Sequence, residues 1–302
     1  MHVLLIAGGW SEEREVSLSG AKGIEQALLE LGHDVEFVDP AKDFKNILLL
    51  AEHADFAFIN LHGSPGEDGL IQAMLNQVNC PYQGAEPESS FLTLNKAATK
   101  TVFDHHGILT PKWELVCAAD GCKGLQDLEP PVFIKPNSGG SSLGMTFART
   151  AEELEKGIET VFSLGDSALV EEYTKGIEVT CGILDGEPMP LILINPPDNA
   201  EFFDYHSKYA LDGAEEICPA PIDPVLTEQI QQITAKAHKL LGLTDYSRAD
   251  FIISEGVPYL LEVNTLPGMT PTSLVPQAAK EAGYSFNELI AKLIELGQRK
   301  RK

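Results

Sequence analysis

The chain has 302 residues, with 22 Lys and Arg against 45 Asp and Glu, a formal charge of −23 at pH 7. That length exceeds one ordinary hydrophobic core and predicts two or three domains. The acidity excludes the broad phosphate-tracking surface of a nucleic-acid binder and disfavours anionic membranes, so a small anionic ligand must be held by local basic groups.

The first third alternates short apolar runs with amphipathic stretches, the pattern of β-α-β units around a mainly parallel sheet. Residues 3–7 predict a buried strand rather than a signal peptide, since no basic leader precedes them and no cleavage site follows. A helix is predicted over 17–31, with Leu18, Ala21, Ile24, Leu28 and Leu31 on one face and Gly32 just past its end. Strands follow at 34–38 and 56–61, the latter running into the turn-rich stretch 62–69. A helix is predicted over 91–106, a strand over 132–135, a Gly/Ser-rich loop over 136–144, and then a strand at 145–148, a helix at 150–160 and a strand at 168–172. The last part predicts strands at 177–184, 189–194, 251–253 and 259–263, with helices at 224–241, 274–282 and 286–296. The basic tail 299–302 is expected only to solvate the end of the last helix. No stretch approaches the roughly 20 apolar residues that a membrane helix needs. Cys80, Cys117, Cys122, Cys181 and Cys218 are odd in number and form no C-x-x-C pair, as expected of reduced thiols in a cytoplasmic protein.

The densest chemical constellation is Arg248-Ala249-Asp250 followed by Glu262-Val263-Asn264. If the two segments pair as a hairpin across Ser254-Glu255-Gly256, alternation puts the polar residues of each segment on one face. Two carboxylates and an amide oxygen are hard donors suited to Mg²⁺ beside nucleotide phosphates; a solvated polar hairpin is the alternative. The glycines of 136–144, next to Lys135, offer backbone N–H groups and a charge to a triphosphate, or form a plain flexible turn. Within that loop Gly140-Ser141-Ser142-Leu143-Gly144 matches G-x-S-x-G, but the glycines before it and the β-like Met145-Thr146-Phe147 after it argue against a hydrolase elbow. Neither G-K-[ST] nor G-x-G-x-x-G occurs, which argues against a P-loop or dinucleotide enzyme. His105-His106 reads as a solvated pair on a helix. Glu12-Glu13-Arg14-Glu15, just ahead of the first helix, either stabilises its start or receives an ammonium group, and Glu67-Asp68 carries the same ambiguity. The aromatic stretch 203–209 is consistent with a loop that covers a site and brings Lys208 and Tyr209 into it.

Taken together, these residues resemble the D-alanine-D-alanine ligases of the ATP-grasp superfamily. The matching pieces run in family order: Glu13-Arg14-Glu15-Val16-Ser17-Leu18, His62-Gly63, Gly66-Glu67-Asp68-Gly69, Lys96, Lys135-Pro136, the loop around Ser141, Glu171, Glu178, Lys208-Tyr209, Arg248, Asp250, Glu262-Val263-Asn264-Thr265, Pro267-Gly268-Met269-Thr270 and Ser273-Leu274. The resemblance implies an N-terminal Rossmann-like α/β substrate domain over 1–90, then an α+β ATP-grasp fold with a central part over 91–175 and a C-terminal part over 176–302. It implies ATP-dependent joining of two D-alanines for the cell wall, in the cytoplasm, with two Mg²⁺ or Mn²⁺ ions held by Asp250, Glu262 and Asn264, by a homodimer. Lys96, Lys135 and Lys208 would meet ATP phosphates; Glu171, Glu172, Tyr173, Thr174 and Glu178 would meet adenine and ribose. Arg248 and the Gly268 N–H would stabilise the tetrahedral oxyanion, Glu15 the first ammonium with Ser141 and Tyr209, and Ser273 with Leu274 the second carboxylate. Trp10 and Asn95 depart from the commoner family residues. Tyr209 resembles dipeptide-forming members rather than those that use D-lactate. An ATP-grasp ligase of other amino acids, a serine hydrolase and a nucleotide-binding regulator are the rival readings.

Overall fold

The computed structural model describes residues 1–119, 121–139, 144–195 and 214–300. Its strands form three sheets. The first sheet is parallel, in the order β2-β1-β3, from β1 (His2–Ala7), β2 (Asp34–Val38) and β3 (Phe56–Asn60). Val3, Leu4, Leu5, Ile6 and Ala7 are all buried, so both faces of the central strand are covered, as parallel sheets require.

Helix α1 (Arg14–Glu30) begins three residues before the expected Ser17. The reason is the use made of Ser17: its hydroxyl donates to the Asn60 carbonyl and accepts from the Gly8 N–H, so it ties the helix to the ends of β1 and β3 instead of capping it. Arg14 and Glu15 therefore lie in the first turn, not ahead of the helix. Between Pro40 and Gln77 three helices appear that periodicity did not predict: α2 (Pro40–Asp43), α3 (Ile47–His53) and α4 (Leu70–Gln77). The single helix expected over 91–106 is two, α5 (Pro87–Leu94) and α6 (Lys96–His105). Asn95 divides them, because its side chain accepts from the Ala98 N–H and caps α6 while its own backbone is extended.

The second sheet is antiparallel, β4-β7-β5-β6, from β4 (Trp113–Val116), β5 (Val132–Pro136), β6 (Thr146–Ala148) and β7 (Ala168–Glu172). Helix α7 (Ala151–Ser163) packs on it through Leu154, Ile158 and Val161, and starts with a Thr150–Glu153 capping box. The third sheet contains β8 (Ile177–Leu184), β9 (Glu187–Pro188), β10 (Ile192–Asn195) and β11 (Glu215–Ile217), covered by α8 (Pro224–Leu240), and ends in the hairpin β12 (Tyr246–Ser254) and β13 (Val257–Asn264). The strand expected over 189–194 starts only at Ile192, since Pro188 and Pro190 cannot donate to a ladder. The hairpin strands are longer than their apolar runs suggested, extending through the polar residues on both sides.

The last helices, α9 (Leu274–Glu281) and α10 (Phe286–Arg299), leave the third sheet and complete the first core: Val275, Ala278, Leu289, Ile290, Leu293 and Ile294 pack with Ile24, Leu28 and the β1 residues. Helices α9 and α10 thus share a core with the first sheet although they follow the third in sequence. Gly297 of α10 lies so close to β3 and the segment after it that a Cβ there would collide with the Tyr82 carbonyl oxygen. The tail does more than solvate the helix end. Lys300 Nζ lies 2.7 Å from Asp245 Oδ2, also donates to the Gly84 carbonyl, and sits 5.6 Å from the centre of the Tyr82 ring. Four of the cysteines, Cys80, Cys117, Cys181 and Cys218, are free thiols. Among the described residues no helix is long and apolar enough to cross a membrane. His105 and His106 are exposed, as read from the sequence.

Candidate active site

The β12–β13 hairpin pairs as the alternation required. Arg248 lies opposite Asn264 and Asp250 opposite Glu262, with a bulge directly after Asp250. Glu255 and Gly256 both take positive φ at the tip, as a tight two-residue turn demands. Asp250 is buried and accepts four hydrogen bonds: from Arg248 Nε and Nη2 at 2.8 Å each, from Thr180 Oγ1 at 2.7 Å and from Asn264 Nδ2 at 3.1 Å.

This hairpin forms one wall of a cavity of about 630 Å³. Of the residues predicted from sequence, Glu15, Glu178, Arg248, Asp250, Glu262, Asn264, Gly268 and Ser273 all line it. Glu15 comes from the first turn of α1, which Arg14 anchors: its guanidinium donates to the Gly9 carbonyl and to Asp39. Hydrogen bonds from Arg14 hold the Asp39 carboxyl down at about 2. At the opposite end, the Ser273 hydroxyl accepts from the Thr270 N–H at 3.0 Å and packs so near Gly268 that a Cβ there would stand 2.9 Å from it. Gly268 is therefore the residue that allows this close turn. Lys96 reaches the same region from the N-terminus of α6, 3.8 Å from Glu262 Oε2, and donates to the Gly139 carbonyl.

The remaining predicted nucleotide residues cluster on the second sheet. Lys135 donates to Glu171 Oε2, and Tyr173 packs against Phe147 and Phe133 with ring centres 5.0 and 5.9 Å away. Glu172 is exposed and Thr174 half-buried. Ser141, Lys208 and Tyr209 lie outside the described residues.

Three features go beyond the candidate residues read from the sequence, although the sequence already offers Glu67 as a receiver of an ammonium group. His62 and Glu67 also line the cavity, 4.0 Å apart and both buried. Burial and then the Glu13 charge push the Glu67 carboxyl up to about 8, and burial pushes the His62 imidazole down. Lys100, one helical turn beyond Lys96, is buried 2.6 Å from Glu171 Oε1. Its spacing from Lys96 was the available signal. Finally, Glu216 lines the cavity from β11 and accepts a hydrogen bond from Gln277 of α9.

For a divalent cation the donor chemistry fits. Asp250 and Glu262 stand directly opposite on paired strands, with an amide beside them, and hard oxygen donors of this kind suit Mg²⁺. No group of three His, Cys, Asp or Glu side chains placed to hold a metal occurs among the described residues, so phosphate oxygens and water would have to complete the shell.

The family model for the D-ala D-ala ligase C-terminus matches residues 101–295. A D-alanine-D-alanine ligase of Nitratidesulfovibrio vulgaris is 55% identical over 298 residues, covering 98% of each chain. This chain belongs to the D-alanine-D-alanine ligase family. The ligase of Lawsonia intracellularis is 49% identical, covering 99% of each chain. The crystal structure of the Bacillus anthracis ligase is 34% identical and superposes with a TM-score of 0.87, covering 100% of this chain and 98% of that one. A crystal structure of a D-alanine-D-alanine ligase from Bacillus anthracis complexed with ATP is 30% identical, with a TM-score of 0.85 and the same coverage. The family's fold, a Rossmann-like domain followed by a two-part ATP-grasp, is the fold of this ligase: the parallel sheet is the first unit, and the two antiparallel sheets form the two parts of the ATP-grasp.

Proposed function

We propose that this ligase joins two D-alanines into D-alanyl-D-alanine for peptidoglycan synthesis, driven by ATP cleavage to ADP and phosphate. The carboxylate of the first D-alanine attacks the γ-phosphorus, ADP leaves, and an acyl phosphate forms. The amine of the second attacks the acyl carbon, phosphate leaves from the tetrahedral intermediate, and the nitrogen gives up one proton and keeps one as the amide N–H.

The observation that carries this reading is the cavity wall on which Arg248, Asp250, Glu262 and Asn264 meet, with Glu15 and Ser273 among the other lining residues. Seven carboxylates, those of Glu13, Glu15, Glu67, Glu178, Glu216, Asp250 and Glu262, line the cavity beside Arg248. Such a site suits cationic amines and divalent metal, and it repels a bare polyphosphate. Asp250, Glu262 and Asn264 would hold two Mg²⁺ or Mn²⁺ ions, which supply charge neutralisation where phosphoryl transfer brings anions together. Lys96, Lys135 and Lys208 serve the phosphates, and Glu171 to Thr174 with Glu178 serve adenine and ribose. Glu15, in the rigid first turn of α1, receives the first ammonium with Ser141 and Tyr209. Arg248 and the Gly268 N–H face the developing oxyanion, and Ser273 at the start of α9 receives the second carboxylate. The reading includes a homodimer, and a cytoplasmic location in keeping with free thiols and use of ATP.

The test is ADP release from Mg-ATP with D-alanine, L-alanine, or D-alanine plus D-lactate, with products identified by mass. ADP together with D-alanyl-D-alanine, formed only with the D-amino acid, is the expected result. ADP release with none of these would transfer the enzyme to the ligases of other amino acids.

A further inference from the structure

Helix α6 presents Lys96 and Lys100 one turn apart. Lys96 stands at the cleft, whereas the Lys100 side chain is only 2% exposed, as is that of Glu171, which it meets at 2.6 Å. Lys100 also donates to Thr110 Oγ1. The other carboxylate oxygen, Glu171 Oε2, accepts from Lys135, whose side chain is 19% exposed. Two ammonium groups therefore divide one carboxylate between them. Burial alone would push the Glu171 carboxyl up, but the charges and hydrogen bonds of Lys100 and Lys135 bring it down to about 2. Burial pulls the Lys100 ammonium down while the Glu171 charge pushes it back up, and Lys135 is the member through which solvent or a ligand reaches the trio.

A lysine in so dry a place is stabilised by each anion that reaches it: the Glu171, Glu262 and Glu178 carboxylates already act on Lys135, and a bound phosphate would add to them. If Glu171 belonged to Lys135 alone, the pair would be neutral and the carboxylate would occupy the lysine's donors. With Lys100 on Oε1, only Oε2 is left for Lys135, and the other donors of its ammonium stay available. We propose that Lys100 is a positioning residue for the nucleotide phosphates: by taking half of Glu171 it keeps Lys135 from being neutralised. This rests on the reading of Lys135 as a phosphate-binding residue.

The experiment measures binding of Mg-AMP-PNP and of adenosine to the full chain by calorimetry, for wild type, Lys135→Met, Lys100→Met, Glu171→Gln and the double variant Lys100→Met/Glu171→Gln. Loss of one nearby charge predicts about tenfold weaker AMP-PNP binding by Lys100→Met, with adenosine binding unchanged within about twofold. Adding Glu171→Gln removes the carboxylate that would capture Lys135, so the ratio of AMP-PNP to adenosine affinity should return to within about threefold of that in Glu171→Gln alone. A purely structural role for Lys100 would weaken both ligands alike, and that result overturns the proposal, as does failure of the double variant to recover. If Lys100→Met does not fold, Glu171→Gln decides alone: the ratio should hold or rise above wild type, and a fall overturns the proposal. An unchanged AMP-PNP affinity in Lys135→Met would instead remove the reading of Lys135 on which the proposal stands.

Discussion

Arg248 and Asp250, two residues apart on β12, grip each other through a two-pronged fork, Nε to Oδ1 and Nη2 to Oδ2, both 2.8 Å. With Thr180 and Asn264 also donating, the carboxylate has about as many partners as its lone pairs accept. A cation held by Asp250 would compete with Arg248 for these lone pairs, and a guanidinium not held by Asp250 would be free to meet a developing oxyanion. Arg248→Ala should lower kcat by about 10²- to 10³-fold, the usual loss for one oxyanion donor, while the Mg²⁺ concentration for half-maximal rate stays level or falls. A raised Mg²⁺ requirement would mean that Arg248 holds Asp250 for the metal rather than competing with it.

Glu67 makes stability depend on pH. Its carboxyl is raised from 4.5 to about 8 by burial and the Glu13 charge, so below pH 4.5 it is protonated in folded and unfolded chains alike. Above that only the unfolded chain ionises, and the stability that Glu67 leaves intact in acid is lost as pH rises through about 8. Glu67→Gln should melt progressively higher than wild type as the buffer moves from about pH 4 to about pH 9. Thermal melts that keep a constant difference across that range would rule this out.

Arg14 sets the entrance of α1. It bridges the Gly9 carbonyl and Asp39, while Asp39 also accepts from the Gly9 and Ala41 N–H groups. Gly8 and Gly9 both take positive φ there, and a side chain at Gly8 would meet Asp39 Oδ1 at 2.6 Å. Arg14→Met should loosen this turn and the Glu15 that follows it, raising KM for the first D-alanine roughly tenfold with KM for ATP unchanged. Equal changes in both constants would show a general loss of structure instead.

Lys300 is the partner of a buried acid. Asp245 is 4% exposed at its side chain and Lys300 15%, at 2.7 Å. Lys300→Met strands Asp245 and should cost about 3 kcal/mol, several degrees in Tm. Lys300→Met/Asp245→Asn should recover much of that loss. Calorimetric melts of both variants decide it; a single variant as stable as wild type would show the pair to be surface decoration.

Legibility followed sequence distance. The hairpin was readable because Arg248, Asp250, Glu262 and Asn264 alternate with apolar neighbours, so strand period and turn chemistry agreed on one register. The break at Asn95 was readable in principle, since Asn is a strong helix cap, but the apolar periodicity runs on across it. For Lys100 only its spacing from Lys96 was readable, because a lysine facing inward looks like any lysine on a helix until Glu171, far along the chain, is brought against it. The raised Glu67 carboxyl was not readable: it depends on burial and on Glu13, contributed by a different element. The basic tail misled for the same reason, its carboxylate partners Asp185 and Asp245 being distant in sequence.

Helix α10 packs against α1 and β3, elements made more than two hundred residues before it. On a translating ribosome the parallel sheet therefore emerges long before the layer that seals it. Its Leu and Ile residues must wait, partly uncovered, until α10 has been made. A chain truncated before Phe286 should consequently be a chaperone client or a proteolytic substrate rather than a smaller enzyme, however complete its catalytic hairpin.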